Sequence, residues 1–331
     1  MVDLSGLRTD PLEFCSEILP HVSRTFALTI PALREPLRTH VKVSYLLCRV
    51  VDTIEDHTEI SDDLRQDLFT RFANLIQADP ESSGVEEFTH RWPGHVDIHH
   101  NALVSNVGLV LGAYRTFPEP TRDPIRRCVL EMIDGMRSFP TPLTSREPAE
   151  ACKDLDQLEH YCHYVAGTVG VLLSHLFAAE LGINWMTSDR IEQGRRFGLG
   201  LQLTNIIKDH ASDRNRGISF IPLAWFENDR LSKRGGNIIV TRALEHFDAA
   251  MTYVHSIPPD REDMRLFCLW ASHLALATLR LAANGDSRPA KVNREELWDI
   301  IEKAKQSVRS NEELATLHGD YKRAALAALS S

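Results

Sequence analysis

The sequence has few cysteines and none of the close pairs that metal and redox motifs use. Its six cysteines, among 331 residues, lie at positions 15, 48, 128, 152, 162 and 268. None of these spacings is Cys-x-x-Cys. The amino-terminal MVDLSGLRTD also lacks the basic start and apolar run of a signal peptide. We interpret the cysteines as reduced, mostly buried thiols of a cytoplasmic protein.

Basic residues are fewer than acidic ones, 37 Lys and Arg against 46 Asp and Glu, so the net charge is −9 at pH 7. A general binder of nucleic acid or of anionic membranes is therefore disfavoured, although a local basic patch stays open. The longest mainly apolar stretch, VAGTVGVLLSHLFAAELG from residue 165, includes Thr, Ser, His and Glu, which favours a buried helix over a membrane span. The carboxyl end, LHGDYKRAALAALSS, is too short and polar for an anchor. We expect no transmembrane anchor, and peripheral membrane contact stays open.

Strand-like alternation is missing as well, because apolar residues recur with helical spacing almost everywhere. The spacing predicts helices over 11–20, 34–57, 61–78, 96–115, 121–138, 153–181, 187–212, 239–256, 259–284 and 293–308. Breaks that contain Pro or Gly are predicted at 79–94, 139–149, 214–222, 228–237 and 285–290. Neither a clear interdomain linker nor a repeat of fixed period separates these elements. The simplest organisation is one all-α domain over residues 1–331.

Two of the predicted helices carry acidic stripes. In CRVVDTIEDH, Asp52, Glu55 and Asp56 share one helical face, and such a motif alone is more typical of a solvated surface. The stripe in GLGLQLTNIIKDHASD consists of Gln202, Asn205, Asp209 and Asp213. Two uncharged amides that lead into two carboxylates suit a cavity wall better than a face that touches only water.

If the two stripes face each other, they gather negative charge that only cations could hold there. Carboxylate oxygens are hard ligands that suit Mg²⁺, which shares its remaining positions with waters and substrate phosphates, whereas Zn²⁺ fits worse. A departing diphosphate also needs basic side chains, and Arg24, Arg49 and Lys208 lie near the stripes in the sequence. The pattern predicts a joint site for Mg²⁺ and a diphosphate.

Two further segments leave alternatives open. Tyr161 precedes Gly167 and Gly170 in a helical segment, and such glycines indicate either close helix packing or close approach of a ligand. The segment HRWPGHVDIHH has four histidines, at 90, 95, 99 and 100. It is loop-like and matches no metal-ligand spacing, so a Zn²⁺ or Ni²⁺ site is disfavoured there.

Five ordered blocks resemble the squalene and phytoene synthase family of head-to-head isoprenoid synthases. The blocks are SRTFALTIPAL (23–33), YLLCRVVDTIEDHTEI (45–60), YCHYVAGTVGVLLSHLF (161–177), LGLQLTNIIKDHASD (199–213) with FIP (220–222), and FCLWASHLALATL (267–279). The chain looks most like the squalene-forming members. The resemblance implies a single-domain, isoprenoid synthase-type helical bundle around a central apolar cavity.

The resemblance also implies roles for individual residues. It implies metal ligands at Asp52, Glu55, Asp56, Asp209 and Asp213. It implies diphosphate-binding or cavity positions at Arg24, Tyr45, Arg49, Gln202 and Asn205, to which we add Phe26, Lys208 and Arg216. Tyr161 matches a tyrosine with a role in proton handling and carbocation control. With Asp52, Asp56, Asp209 and Asp213, it makes up the candidate catalytic set.

The implied reaction is a Mg²⁺-dependent condensation, with Mn²⁺ as a substitute ion, of two farnesyl diphosphates through presqualene diphosphate, followed by reduction by NADPH. No GxGxxG follows a strand, but GDSRPAKVNREEL (285–297) resembles a basic, NADPH-associated loop and puts forward Lys291 and Arg294. An ordinary surface loop is equally open for this segment. The protein is expected to be a monomer or weak homodimer.

The second acidic motif departs from the family pattern DxxED, since it reads DHASD with Ser212 in place of a glutamate. Lys208 also stands where the family usually has Arg, and Arg214 and Arg216 crowd the loop that follows. Synthases of dehydrosqualene, presqualene diphosphate or phytoene, which lack the reductive step, remain as alternatives. A non-catalytic helical assembly factor is the alternative from a different class.

Overall fold

The computed structural model describes residues 10–77, 84–95, 97–139, 148–283 and 291–330. Helices dominate these residues, so the all-α prediction is confirmed. The chain divides into two compact units, Met1–Thr141 with His175–Ile183, and Pro142–Ser174 with Asn184–Ser331. The single domain over 1–331 stays a prediction.

The first unit is built around α3, whose apolar residues follow helical spacing. Its helices are α1 (Pro11–Val22), α2 (Thr25–Thr29), α3 (Leu37–Glu55), α4 (Asp62–Gln77), α5 (Gly84–Arg91), α6 (Ile98–Ser105), α7 (Val107–Arg115) and α8 (Glu119–Met136). α3 packs against α1, α6, α7 and α8. Burial of Leu47, Val50 and Ile54 on this side leaves the opposite face of α3 for polar side chains.

The second unit has the long helix α11 (Ser188–Asn215) as its central element. Its other helices are α9 (Leu155–Cys162), the start of α10 (Thr168–Leu181), α12 (Lys233–Ser256), α13 (Glu262–Ala283), α14 (Arg294–Ser307) and α15 (Asn311–Ser330). A π-helical turn, His163–Gly167, joins α9 to α10. α11 packs against this turn, α12 and α13.

Close backbone packing explains Gly170, which follows Tyr161, and Gly198 on the facing helix. A Cβ on Gly170 would meet the carbonyl oxygen of Gly194, on α11, at 2.0 Å. A Cβ on Gly198 would meet the carbonyl oxygen of Ala166 at 2.1 Å. Because real Cβ atoms do not approach backbone this closely, glycine is required for α11 to lie against α10 and the π-helical turn. Of the two open readings, helix packing accounts for Gly170.

Several predicted boundaries are wrong. The predicted helix 96–115 is divided into α6 and α7 at Asn106, whose backbone N–H donates to the carbonyl of Ala102 and whose side chain also donates there. α5 lies inside the predicted break 79–94, and α12 begins inside the predicted break 228–237. Helices α2 and α15 were not predicted. α2 has only five residues, too few to show a hydrophobic period.

Two small sheets are also present, against the expectation of none. β1 (Ala149–Glu150) pairs in parallel with β2 (Ile218–Ser219), and β3 (Phe226–Glu227) pairs antiparallel with β4 (Arg230–Leu231). The β3–β4 turn has Asn228 and Asp229 at φ 49° and 61°, values that Asn and Asp tolerate in tight hairpin turns. Strands of two residues are too short to produce a visible alternation.

The six cysteines are all buried and free of disulfides, as expected. Burial raises the pKa of Cys15 and of Cys152 to about 12, which keeps both as thiols. Within the described residues one helical stretch, Leu155–Leu181, is long and apolar enough to cross a membrane, with a mean hydropathy of 1.4. A core helix of a soluble protein passes the same test. The location of the protein stays a prediction.

Candidate active site

The first acidic stripe lies on the polar face of α3, within the first unit. Tyr45, Arg49, Asp52 and Asp56 follow one another at helical spacing and are all partly exposed. The guanidinium of Arg49 lies 3.4 Å from the Asp52 carboxylate. Helical spacing therefore brings a cation, two carboxylates and a phenol to one surface, as the sequence predicted.

The surroundings of Asp52 disfavour the ionised form of its carboxylate. Its side chain is 23% exposed. Burial raises its pKa to about 6, and the charge of the neighbouring Asp56 adds to this, whereas Arg49 opposes it. A bound cation would reverse that rise, because an adjacent positive charge favours the ionised carboxylate. The hard oxygen donors of this stripe thus fit Mg²⁺ in both chemistry and charge.

The segment before α3 adds an aromatic side chain to this surface. The ring of Phe26 lies 5.0 Å from the ring of Tyr45, and the Tyr45 hydroxyl donates to the carbonyl of Val22 at 3.1 Å. The Ser23 hydroxyl accepts from the backbone N–H of Phe26 at 3.0 Å, which caps the first turn of α2. Arg24 is exposed. Phe26, Tyr45, Arg49 and the acidic stripe are thus neighbours in one unit.

The second stripe lies on α11, within the second unit. Lys208 contacts the carboxylate of Asp209 at 3.1 Å and donates to the side-chain oxygen of Asn205 at 3.2 Å. Asp213, whose side chain is only 10% exposed, accepts from Arg216 at 2.7 Å. Each of the two carboxylates is thus paired with a cation. Gln202 is partly exposed one turn before Asn205, and Ser212 is exposed.

Arg214 and Arg216, the two arginines that follow the second acidic motif, have different surroundings. The Arg214 guanidinium pairs with Asp229 at 3.0 Å and lies over the Phe226 ring, 4.2 Å from its centroid. Arg216 instead pairs with Asp213 on the acidic stripe. Of the two, Arg216 is therefore the one placed beside the candidate ligands.

Tyr161 is buried at the end of α9. Its ring is 3% exposed and stacks on the ring of Phe220, 4.3 Å between centroids. Phe220 belongs to the FIP segment (220–222) and Tyr161 to the block 161–177, so two blocks that are distant in the sequence meet here. Lys291 and Arg294 are both exposed at the start of α14.

Among the described residues, no three His, Cys, Asp or Glu side chains are grouped closely enough to hold a metal ion. An ion on either stripe would need further ligands, such as waters or phosphate oxygens. The joint site predicted from the sequence involves residues of both units, and its assembly stays a prediction.

Comparisons with known proteins agree on one family. The family profile for squalene/phytoene synthase matches residues 19–296. Squalene synthase 1 from Arabidopsis thaliana is 32% identical over 291 residues, which cover 82% of this chain and 65% of that protein. Squalene synthase from Rattus norvegicus is 29% identical, with 83% of this chain and 65% of that protein covered. This chain thus spans about two thirds of the length of these relatives.

Solved structures show the same fold. The structure of a complex of TcSQS with the ligand BPH1237 superposes with a TM-score of 0.73 at 24% identity, covering 97% of this chain and 98% of that chain. A dehydrosqualene synthase in complex with ligand superposes with a TM-score of 0.57 at 17% identity, covering 91% and 97%. The helical isoprenoid synthase fold predicted from the sequence is confirmed. Since the family profile matches most of its residues, the chain belongs to the squalene/phytoene synthase family.

Proposed function

We propose that this protein is a squalene synthase, which condenses two molecules of farnesyl diphosphate head to head and reduces presqualene diphosphate to squalene. The observation that carries the proposal is the polar face of α3. There Arg49 and Asp52 lie 3.4 Å apart beside Asp56, and burial raises the Asp52 pKa to about 6. A carboxylate in that state is suited to bind a cation.

Mg²⁺, when bound, would neutralise a diphosphate leaving group and so promote ionisation of the allylic substrate. Asp52, Glu55 and Asp56 would hold it on α3, and Asp209 and Asp213 on α11. Arg49 would bind the diphosphate through its planar fork of donors. Lys208 would bind it as a point charge, which is weaker in direction than the arginine usual at that position in the family.

The residues on α11 fit a diphosphate-binding role because each cation there already lies beside a carboxylate. Arg216 donates to Asp213 at 2.7 Å and could exchange part of this pairing for phosphate oxygens. Ser212 supplies a hydroxyl where the family has a carboxylate, so this stripe carries one negative charge fewer. Most of the negative charge that binds metal would therefore lie on α3.

Tyr161 is the candidate for proton handling. Its buried ring stacks on Phe220, which holds the phenol in one orientation. Aromatic faces such as Phe26 would stabilise the carbocations that follow ionisation. The apolar surroundings of such a site must also exclude water, because water would quench the cations.

NADPH would supply the hydride of the final reduction. Lys291 and Arg294 are exposed cations at the start of α14, and such side chains suit the phosphates of a dinucleotide. The dehydrosqualene synthase structure, with its TM-score of 0.57, keeps synthesis without reduction as the second candidate.

The decisive experiment incubates purified protein with farnesyl diphosphate and Mg²⁺, with and without NADPH, and identifies the lipid products by mass spectrometry. We expect presqualene diphosphate without NADPH and squalene with it. A C30 polyene without NADPH, and no squalene when NADPH is present, would assign dehydrosqualene synthesis instead. A parallel reaction with geranylgeranyl diphosphate tests phytoene formation, and no turnover of either substrate would favour a helical assembly factor.

A further inference from the structure

His100, one of the four histidines of the segment HRWPGHVDIHH, has partners on both sides of its ring. Asp97 caps α6, and its carboxylate accepts from the backbone N–H groups of His99 and His100 at 2.9 and 3.0 Å. The same carboxylate lies 3.2 Å from Nδ1 of the His100 ring. The cap therefore fixes the position of His100 twice, through its backbone and through its side chain.

The other side of the His100 ring faces Arg49 on α3. The guanidinium reaches Nε2 of His100 through Nε at 3.2 Å and Nη2 at 2.9 Å. Because a guanidinium only donates, Nε2 must accept, and the ring proton lies on Nδ1, where it can be donated to Asp97. One tautomer satisfies both contacts. Burial and the Arg49 charge lower the pKa of His100, which keeps the ring neutral at pH 7.

A neutral acceptor has a specific advantage for a cation that must bind an anion. A carboxylate in the place of His100 would orient Arg49 but would also cancel its charge. The imidazole accepts one N–H from Nε and one from Nη2. This leaves the second N–H of Nη2 and the two of Nη1, which lies 3.4 Å from Asp52, for other acceptors. Both side chains are partly buried, Arg49 with 28% and His100 with 19% of its surface exposed, which limits the access of water to the contact.

We propose that His100, held by Asp97, is a positioning residue that orients the Arg49 guanidinium toward the substrate diphosphate. The proposal rests on the proposed function, since it assigns Arg49 to diphosphate binding. His100 lies 51 residues from Arg49 in the chain, outside the blocks that resemble the family. The same contacts give this histidine a role other than metal binding.

The test measures binding of inorganic pyrophosphate with Mg²⁺ by calorimetry, together with KM and kcat for farnesyl diphosphate. His100→Leu keeps the size of the side chain without an acceptor, and we expect it to weaken pyrophosphate binding about 10-fold. His100→Gln places an amide oxygen near the position of Nε2, and we expect binding within about 3-fold of the parent. His90→Leu, at an exposed position of α5, is the matched control and should behave as the parent does.

Rescue by Gln separates positioning from a structural role, because loss of fold would not depend on an acceptor atom. Pyrophosphate binding by His100→Leu that equals that of His90→Leu would overturn the proposal, as would a Gln variant as weak as the Leu variant. If His100→Leu shows no cooperative thermal melt, His100→Asn decides, since its amide is too short to reach Arg49 and should lose binding about 10-fold. A parent that binds pyrophosphate but turns over no farnesyl diphosphate would overturn the proposed function and leave the positioning role supported by the binding series.

Discussion

The ring of Tyr161 stacks on the ring of Phe220 at 4.3 Å, with 23° between the ring planes. Tyr161 lies in the last turn of α9, and Phe220 follows β2, so the partners are 59 residues apart in the chain. Offset stacking of this kind fixes ring orientation and contributes about 1 kcal/mol beyond the area buried. The contact holds the phenol in place independently of its hydroxyl.

Replacing Tyr161 by Phe should therefore separate fold from chemistry. The ring stays stacked on Phe220 while the proton-handling hydroxyl is removed, so we expect a loss of about 100-fold or more in turnover with little change in thermal stability. Product analysis and a thermal melt of the same preparation check both parts. Turnover equal to that of the parent would remove Tyr161 from the catalytic set.

Asp52→Asn should remove activity and, in the absence of metal, stabilise the protein in a pH-dependent manner. Burial raises the pKa of Asp52 to about 6, so ionising this carboxylate lowers the free energy of unfolding. The loss is zero below the pKa of the unfolded chain and complete above the pKa of the folded protein. Stability of the parent relative to Asp52→Asn should thus fall by about 1 kcal/mol from pH 5 to pH 7.5. Denaturant melts of the metal-free proteins measure this difference.

The control for that series is Asp63→Asn, an exposed carboxylate in the first turn of α4. We expect it to keep both the activity and the pH profile of the parent. An Asp52→Asn protein that still condenses farnesyl diphosphate at the rate of the control would count against Asp52 as a metal ligand.

Arg216→Gln and Arg214→Gln form a matched pair of charge removals two residues apart. Arg216 pairs with Asp213 on the acidic stripe, whereas Arg214 pairs with Asp229. We expect Arg216→Gln to weaken pyrophosphate binding about 10-fold and Arg214→Gln to change it by less than about 2-fold. Calorimetry with Mg²⁺ measures both, and a larger effect at Arg214 would reverse the assignment.

His273 should make the protein less stable in mild acid. Its ring is fully buried and, within the described part of the chain, neither nitrogen has a hydrogen-bond partner. Burial lowers its pKa to about 3. A His with a lowered folded pKa costs nothing above the unfolded value of 6.5 and progressively destabilises the fold below it. Acidification from pH 7 to pH 5 should therefore cost about 2 kcal/mol at this site.

His273→Phe tests this reasoning because it keeps the ring that stacks on Tyr321 at 4.9 Å and removes the titrating group. We expect the free energy of unfolding of the variant to depend less on pH between 7 and 5. The neighbouring His318, whose pKa burial also lowers, titrates in both proteins and cancels in the comparison. An unchanged pH profile would contradict the prediction.

Gly170→Ala should be strongly destabilising, because the added Cβ would meet backbone of Gly194 at 2.0 Å. Neither backbone can move without separating α10 from α11, and we expect a loss of about 3 kcal/mol. Gly236→Ala in α12 is the matched control, since its Cβ would meet only Leu231 at 3.8 Å. That change should stabilise the protein by about 0.5 kcal/mol. Thermal melts that rank the two variants in the opposite order would contradict the packing argument.

The helices with a strong apolar period were predictable, and those without one were not. The predicted helix 34–57 corresponds to α3 (Leu37–Glu55), whose core residues repeat at helical spacing. The predicted helix 96–115 contains the same kind of pattern, but hydrogen bonds at Asn106 interrupt it. Such local competition between a side chain and the helix backbone is not visible in hydrophobic spacing.

The sequence alone determined that the chain is helical, which family it belongs to, and that carboxylates and cations share faces of two helices. These properties depend on residues near one another in the chain. Only the tertiary structure decided that Arg49 contacts His100 and that burial raises the pKa of Asp52 to about 6. It also decided that Arg216 rather than Arg214 pairs with an acidic stripe, and that the backbone of Gly194 leaves no room for a side chain on Gly170. Each of these depends on groups that folding brings together from distant or looped segments, and no spacing in the sequence encodes such a distance.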